Sequence, residues 1–421
     1  MATAQATAGE RMLHELLPSG RRYVALPTRR HPLVVAEDRP EVLHYVRRSL
    51  LAVPPSLPAW WYPAASAALA VPSLPRRLPP LAVTPPDDHA GAVRRTSGDI
   101  RRLTAAGPVV LIDRSHEQAG RVLLLVFPPG GTRPVVAVRI PADHRAARSV
   151  LSENERLRAV AALPLGAARP AVPTVLGLLR HNGLAALATD ALPGVSMEVA
   201  CHRRGHHARP GPVRADFAAA ADWLADLQSA TAGPLGPLDL RPGTAEALQD
   251  LLPPPVLARF HRLRRGLRRH LAPLGVVHGD FRPGSLLLRD GRISGVVDWE
   301  HARTTGSPLA DPARFVVSYC GYLTGRTHPG HRVPGHHGLV AGPPGAALAY
   351  ALHGSGWFPR LVHDFLAGVL HRLGLPDACG PDAVLAELAA MAAETDDPHV
   401  ARTHALAFSH LVGTEETPRP V

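Results

Sequence analysis

The stretch that decides the reading runs Val276-Val277-His278-Gly279-Asp280-Phe281-Arg282-Pro283-Gly284-Ser285-Leu286-Leu287-Leu288-Arg289-Asp290-Gly291-Arg292-Ile293-Ser294-Gly295-Val296-Val297-Asp298-Trp299-Glu300. Apolar runs flank an Arg-Asp-Gly turn signal, so the segment reads as a loop, a short hairpin and a second loop. An antiparallel turn brings the ends of such a hairpin back together, and here the ends carry two carboxylates, Asp280 and Asp298, 18 residues apart. One acid can then meet an acceptor hydroxyl while the other holds a metal. Phosphoryl transfer needs that division, because its loose transition state leaves the protein mainly to position groups and to neutralise oxygens with magnesium. The competing reading, ordinary turn and cap carboxylates, does not account for both loops occurring in order around one hairpin.

Upstream, Val109-Val110-Leu111-Ile112, Arg121 to Phe127 and Val135 to Ile140 are β-prone runs, the last two separated by the turn signal Pro128-Pro129-Gly130-Gly131. They imply three consecutive antiparallel strands. A helix follows over Arg145 to Ala162, with Val150, Leu151, Leu157 and Val160 on its apolar side. Two more strands are expected near Val175 to Leu179 and Leu184 to Thr189, closed by Leu192-Pro193-Gly194. Beyond Gly194 the chain reads as mainly helical, over Ala215 to Ala230, Pro255 to Leu271 and several segments from Pro344 onward. The first 93 residues hold an apolar run, Tyr23 to Leu26, a helix over Pro40 to Leu51 and Pro-rich segments around Trp60-Trp61-Tyr62, ending in Pro85-Pro86-Asp87-Asp88. They carry no motif.

Composition narrows the chemistry. All 46 Lys+Arg positions are arginine, so Schiff-base and pyridoxal-type mechanisms that need a lysine amine are excluded. The net charge of +11 is spread over short pairs such as Arg21-Arg22 and Arg101-Arg102, with Arg262 to Arg269 the one dense run, which argues against nucleic acid as a partner. Cys201, Cys320 and Cys379 lie far apart, form no CxxC and are odd in number, so neither a disulfide framework nor a zinc site is suggested and a reduced, cytoplasmic setting fits. The most apolar stretch, Leu57 to Leu74, is broken by prolines, and no membrane span or export signal is expected.

The His278-Gly279-Asp280 loop and the run ending Asp298-Trp299 resemble the catalytic and metal loops of the aminoglycoside phosphotransferase family. Leu192-Pro193-Gly194 and Pro308-Leu309-Ala310-Asp311 are similar to further family features. The resemblance spans roughly residues 100–415. It implies an α+β, bilobal protein-kinase-like fold: an antiparallel-sheet N-lobe over 94–192, a mainly helical C-lobe over 193–421 and an extra N-terminal region, 1–93, of unknown role. It further implies ATP and Mg2+ as cofactors and a small-molecule hydroxyl substrate, such as an aminosugar, sugar or amino alcohol.

Carried over by position, Asp280 would orient the acceptor hydroxyl and accept its proton, His278 would shape the loop or else shuttle a proton as a second catalytic residue, and Asp298 would bind magnesium. Asp311 would brace the loop backbone. Two positions depart from the family pattern. Ser285 stands where an asparagine metal ligand is expected, offering a shorter oxygen arm. Arg139 stands where a lysine usually meets the nucleotide phosphates, exchanging a point charge for a planar fork. Glu153, 14 residues on, would aim Arg139, with Glu155 as the alternative. Ser115, in the turn Arg114 to Gly120, would help cover the phosphates, and the adenine pocket would lie by Thr189 to Leu192. The acids Glu300, Glu387, Glu394, Asp396 and Asp397 would attract a cationic acceptor or be solvated only. The two departures also admit a catalytically impaired, nucleotide-binding pseudokinase or scaffold.

Overall fold

The computed structural model describes residues 15–27, 32–51, 61–70, 98–114, 120–201, 205–325 and 327–413. The chain divides into two compact units, Met1–Arg158 with Val172–Val195, and Ala159–Ala171 with Ser196–Val421. The expected division into a sheet-rich part and a mainly helical part is present.

In the first unit, seven strands form one antiparallel sheet: β1 (Tyr23–Pro27), β2 (Pro32–Glu37), β3 (Val109–Arg114), β4 (Arg121–Val126), β5 (Val136–Pro141), β6 (Val175–His181) and β7 (Leu184–Asp190), in the order β1-β2-β3-β4-β5-β7-β6. The three consecutive strands expected from sequence are β3, β4 and β5, paired through Val110 with Leu125 and Leu124 with Val138. These strands read as unbroken apolar runs because both faces of the sheet are covered. One face buries Val109, Leu111, Leu124 and Val138 with Leu16, Leu17 and Ile100. The other buries Val110, Leu125 and Phe127 with Val42, Leu43 and Val46. Those last three come from α1 (Pro40–Tyr45) and the π-turn that continues it, Val46–Leu50. The section 1–93 thus supplies both strands β1 and β2 at one side of the sheet and a layer of the core. Val34 of β2 pairs with Ile112 of β3.

Two further helices of this unit are α2 (Trp61–Ala70) and α3 (Gly98–Ala106), and α4 (His144–Ala161) follows β5. Its buried stripe is Ala146, Val150, Glu153, Asn154 and Leu157, the spacing of one helical face. Leu151, read from sequence as part of that face, is exposed at 39%.

The second unit contains α5 (Pro210–Thr231), α6 (Pro254–Leu267), α7 (Ala310–Thr324), α8 (Ala346–His353), α9 (Trp357–Leu373), α10 (Cys379–Glu394) and α11 (Pro398–Gly413). Proline opens α5 and α6 because its missing N–H lies where a helix has no acceptor to offer. Helix α6 stops short of the expected Leu271, since Leu271–Pro273 instead pairs with Leu235–Pro237. Phe217 of α5 sits edge-on to Phe315, Tyr319, Phe358 and Phe365, gathering α5, α7 and α9 around one aromatic centre.

Two small ladders hold the chemistry-bearing loops. Strand β8 (Gly275–Val277) pairs with β11 (Arg303–Gly306), and β9 (Leu286–Arg289) pairs with β10 (Arg292–Val296). The β9–β10 turn places Asp290 and Gly291 at φ 53° and 76°, the left-handed pair that a two-residue hairpin requires. Among the described residues no helix is long and apolar enough to cross a membrane.

Candidate active site

The loop after β8 is fixed by its backbone. Gly279 has φ 85°, and a Cβ there would run into the carbonyl oxygen of His301, so only glycine fits. Asp311, in the first turn of α7, accepts hydrogen bonds from the backbone N–H of His278 (2.7 Å) and of Gly279 (2.9 Å). The Gly279 carbonyl accepts from Arg241 and, at 3.2 Å, from Arg314. The bracing role expected for Asp311 is therefore what its geometry provides.

The ring of His278 links the two loops. Its Nδ1 accepts from the Asp280 backbone N–H at 3.2 Å and its Nε2 meets the Val297 carbonyl at 2.9 Å. A carbonyl only accepts, so Nε2 carries the proton and the ring is the neutral tautomer. Burial agrees, pushing the imidazole below its ordinary value of 6.5. With both nitrogens bound to backbone, His278 is built as a strut and not as a proton carrier.

Asp280 binds Arg282 Nε through Oδ2 at 2.7 Å and lies 3.8 Å from Arg314 Nε through Oδ1. Burial pushes the carboxyl up, but Arg282 and Arg314 outweigh it and the net shift is downward from 3.8. Arg282 is itself lowered by burial and raised more by Asp280 and Asp298 together. One guanidinium therefore feels both carboxylates that the hairpin was expected to bring together.

Asp298 follows β10 at φ 67° in the left-handed region and is 8% exposed. Ser285 opens β9 from the other side of the ladder: its carbonyl accepts from Val297 N–H at 2.9 Å. Its Oγ is fully buried with no hydrogen-bond partner among the described residues. An oxygen in that position loses water without compensation unless something else occupies it.

In the first unit, Arg139 Nε lies 3.2 Å from Glu153 Oε2, with side-chain exposures of 9% and 0%. The partner expected from sequence is Glu153, and Glu155 is exposed. Arg121 Nη1 approaches the same oxygen at 3.9 Å. Ser115 lies outside the described residues.

The acids read as possible lures for a cationic acceptor are in part otherwise engaged. Glu387 of α10 binds Arg241 at 3.0 Å and Arg314 at 2.9 Å, and Glu394 binds Arg314 at 2.6 Å and Arg241 at 3.3 Å. Asp397 caps α11 by accepting from His399 N–H at 2.8 Å. Sequence reasoning missed Arg282, Arg314 and Arg241. Arg282 was in plain sight two positions from Asp280. Arg314 follows Asp311 by three residues on one helix and so shares its face. Arg241 carries no local signal.

The profile of the Phosphotransferase enzyme family (APH) matches residues 125–330. No curated protein matches the chain. Among solved structures, the streptomycin-ATP-APH(2")-IIa ternary complex is 12% identical, with 74% of this chain and 94% of that one covered and a TM-score of 0.43. Macrolide 2'-phosphotransferase MphH from Brachybacterium faecium is 16% identical, with 72% and 90% covered and a TM-score of 0.38. A glucosamine kinase is 19% identical, with 80% and 88% covered and a TM-score of 0.38. At such scores these are likenesses only, and the assignment stands on the matched segment and the loops inside it. Residues 125–330 thus carry the likeness of this chain to the phosphotransferase enzyme family.

Proposed function

We propose that the protein is an ATP-dependent kinase that transfers the γ-phosphoryl group to a hydroxyl of a small molecule, with an aminosugar, sugar or amino alcohol as the acceptor class. The observation that carries this reading is the shared charge environment of Asp280 and Asp298. Both acids raise the Arg282 guanidinium, and the His278 ring ties the Asp280 backbone to the strand end that precedes Asp298.

Asp280 orients the acceptor oxygen and takes its proton. A carboxylate held on the acid side of its ordinary value is a weak base, which suits a reaction whose bond to the leaving oxygen is largely broken before the acceptor's proton departs. Arg282 and Arg314 keep Asp280 charged, and Arg282 offers the remaining faces of its fork to phosphate oxygens. Asp298 and Ser285 supply the oxygen donors that a hard cation takes, and the buried, unpartnered Oγ of Ser285 fits that use. Magnesium held by them would supply charge neutralisation to the phosphates. In the first unit, the ion pair between Arg139 and Glu153 supports a role for Arg139 toward the nucleotide phosphates, with Glu153 as its positioning partner.

The test is a phosphate-transfer screen with labelled ATP and magnesium over aminosugars, sugars and amino alcohols, with the product identified by mass. A phosphorylated hydroxyl product is expected from at least one class. Nucleotide binding with no transfer to any of them would instead favour the impaired, nucleotide-binding reading.

A further inference from the structure

Away from the catalytic loop, three side chains of different donor type converge in the second unit. Cys201 ends the short helix Met197–Cys201, His206 opens the turn His206–Ala208, and Asp216 lies in α5. Cys201 Sγ is 3.7 Å from Asp216 Oδ2, and His206 Nε2 is 2.7 Å from the same oxygen. All three ligand atoms lie within 4.8 Å of one another, the one such group among the described residues. Tyr319 of α7 donates to Asp216 Oδ2 at 2.8 Å.

We propose that Cys201, His206 and Asp216 form a binding site for Zn2+, with Tyr319 orienting the carboxylate from outside the ligand set. Sulfur and imidazole select zinc over magnesium and calcium, which take oxygen. Tetrahedral bonds of roughly 2.0 to 2.3 Å place ligand atoms about 3.5 Å apart. The sulfur-to-carboxylate separation of 3.7 Å already meets that requirement. The histidine-to-carboxylate separation of 2.7 Å has to widen by about 0.8 Å to reach it. His206 retains 13% of its side-chain exposure, leaving an approach for the ion and for water as a fourth ligand.

The competing account is a hydrogen-bonded cluster centred on Asp216 Oδ2. The thiol contributes little to such a cluster, because 3.7 Å is near the limit for a weak sulfur donor. With no cation bound, the Cys201 thiol carries a proton that it directs weakly at Asp216 Oδ2, 3.7 Å away. Forming the sulfur–zinc bond releases that proton to solvent, and His206 gives up its hydrogen bond to Asp216 and binds through Nε2 as the neutral imidazole with its hydrogen on Nδ1. The bound ion would staple the Met197–Cys201 helix to α5 and, through Tyr319, to α7. The inference is independent of the phosphotransferase reading, since none of these residues belongs to the catalytic loops.

The full-length chain, stripped with a chelator and titrated with cobalt(II) alone, should develop a thiolate-to-cobalt charge-transfer band that saturates at one equivalent. Cys201→Ser and His206→Ala should lose the band, while Cys320→Ser keeps it. Tyr319→Phe should keep it with affinity weakened roughly 10- to 100-fold. Zinc should raise the melting temperature of the unsubstituted protein and magnesium should not reproduce that rise. The proposal is overturned by an unsubstituted protein that gives no band, a reading that no misfolded variant can confuse, or by a band that survives Cys201→Ser.

Discussion

Asp280 is a carboxylate kept charged by two guanidiniums, and its role is separable from the loop that carries it. Asp280→Asn keeps the shape and removes the charge. Turnover should fall by a factor on the order of 100 to 10,000, the range for losing a positioned acid–base group, while the thermal shift caused by ATP and magnesium persists. Steady-state kinetics beside a melting assay checks both. Glu153 is a different case, because it is a buried partner and not a reacting group. Glu153→Ala removes the carboxylate against which Arg139 is buried and should cost about 3–5 kcal/mol, the range for breaking one side of a buried pair, measured by denaturant unfolding.

Histidine adds a pH dependence whose sign is fixed. Burial lowers His278, and it also lowers His181, His336 and His404, each from 6.5. Their folded values lie below the unfolded one, so stability is complete above that ordinary value. As pH falls below 6.5, the unfolded chain takes up protons that the folded chain refuses, and stability declines towards the folded values. Unfolding free energies across mildly acid pH should show this fall, and a flat profile would contradict it.

At the scale of elements, the two glycines of the catalytic segment separate conformation from crowding. Gly291, at φ 76°, has nothing within 4 Å of the place a methyl group would take. Gly291→Ala should therefore cost only the left-handed penalty, about 1–2 kcal/mol. Gly279→Ala meets the same penalty and drives a methyl into the His301 carbonyl, so it should lose more stability than Gly291→Ala and take activity with it. Paired denaturant curves for the two variants check the order. The β9–β10 hairpin was readable beforehand because its signal is local: two apolar runs and an Asp-Gly turn. The ionic quartet of Arg241, Arg314, Glu387 and Glu394 was not. Glu387 bonds an arginine 146 positions away, and nothing near either residue in the chain announces the partner. Acids on a helix read as solvated until the helix is packed.

For the whole molecule, the same rule explains the N-terminal section. Its apolar run at Tyr23 and its helix at Pro40 were visible, but the pairing of β2 with β3 joins residues some seventy positions apart with no local mark. Arg139 and Glu153 were matched from sequence because the kinase-like resemblance supplied the long-range pairing that periodicity lacks. A chain beginning at residue 94 would expose the β3 edge and the core positions now covered by Leu16, Leu17, Val35 and Val42. Each such side chain is worth about 1.5–3 kcal/mol when fully buried, and a bare apolar edge invites pairing with other chains. That truncation should aggregate where the full chain does not, as light scattering would register.

The most direct test of the central claim is magnesium-dependent release of the ATP γ-phosphate, to acceptor or to water, by the intact chain and by Asp298→Asn under identical conditions. Measurable release by the intact chain that disappears in Asp298→Asn, with nucleotide binding retained, is the predicted result. Equal release by both proteins, or none by either, would contradict it.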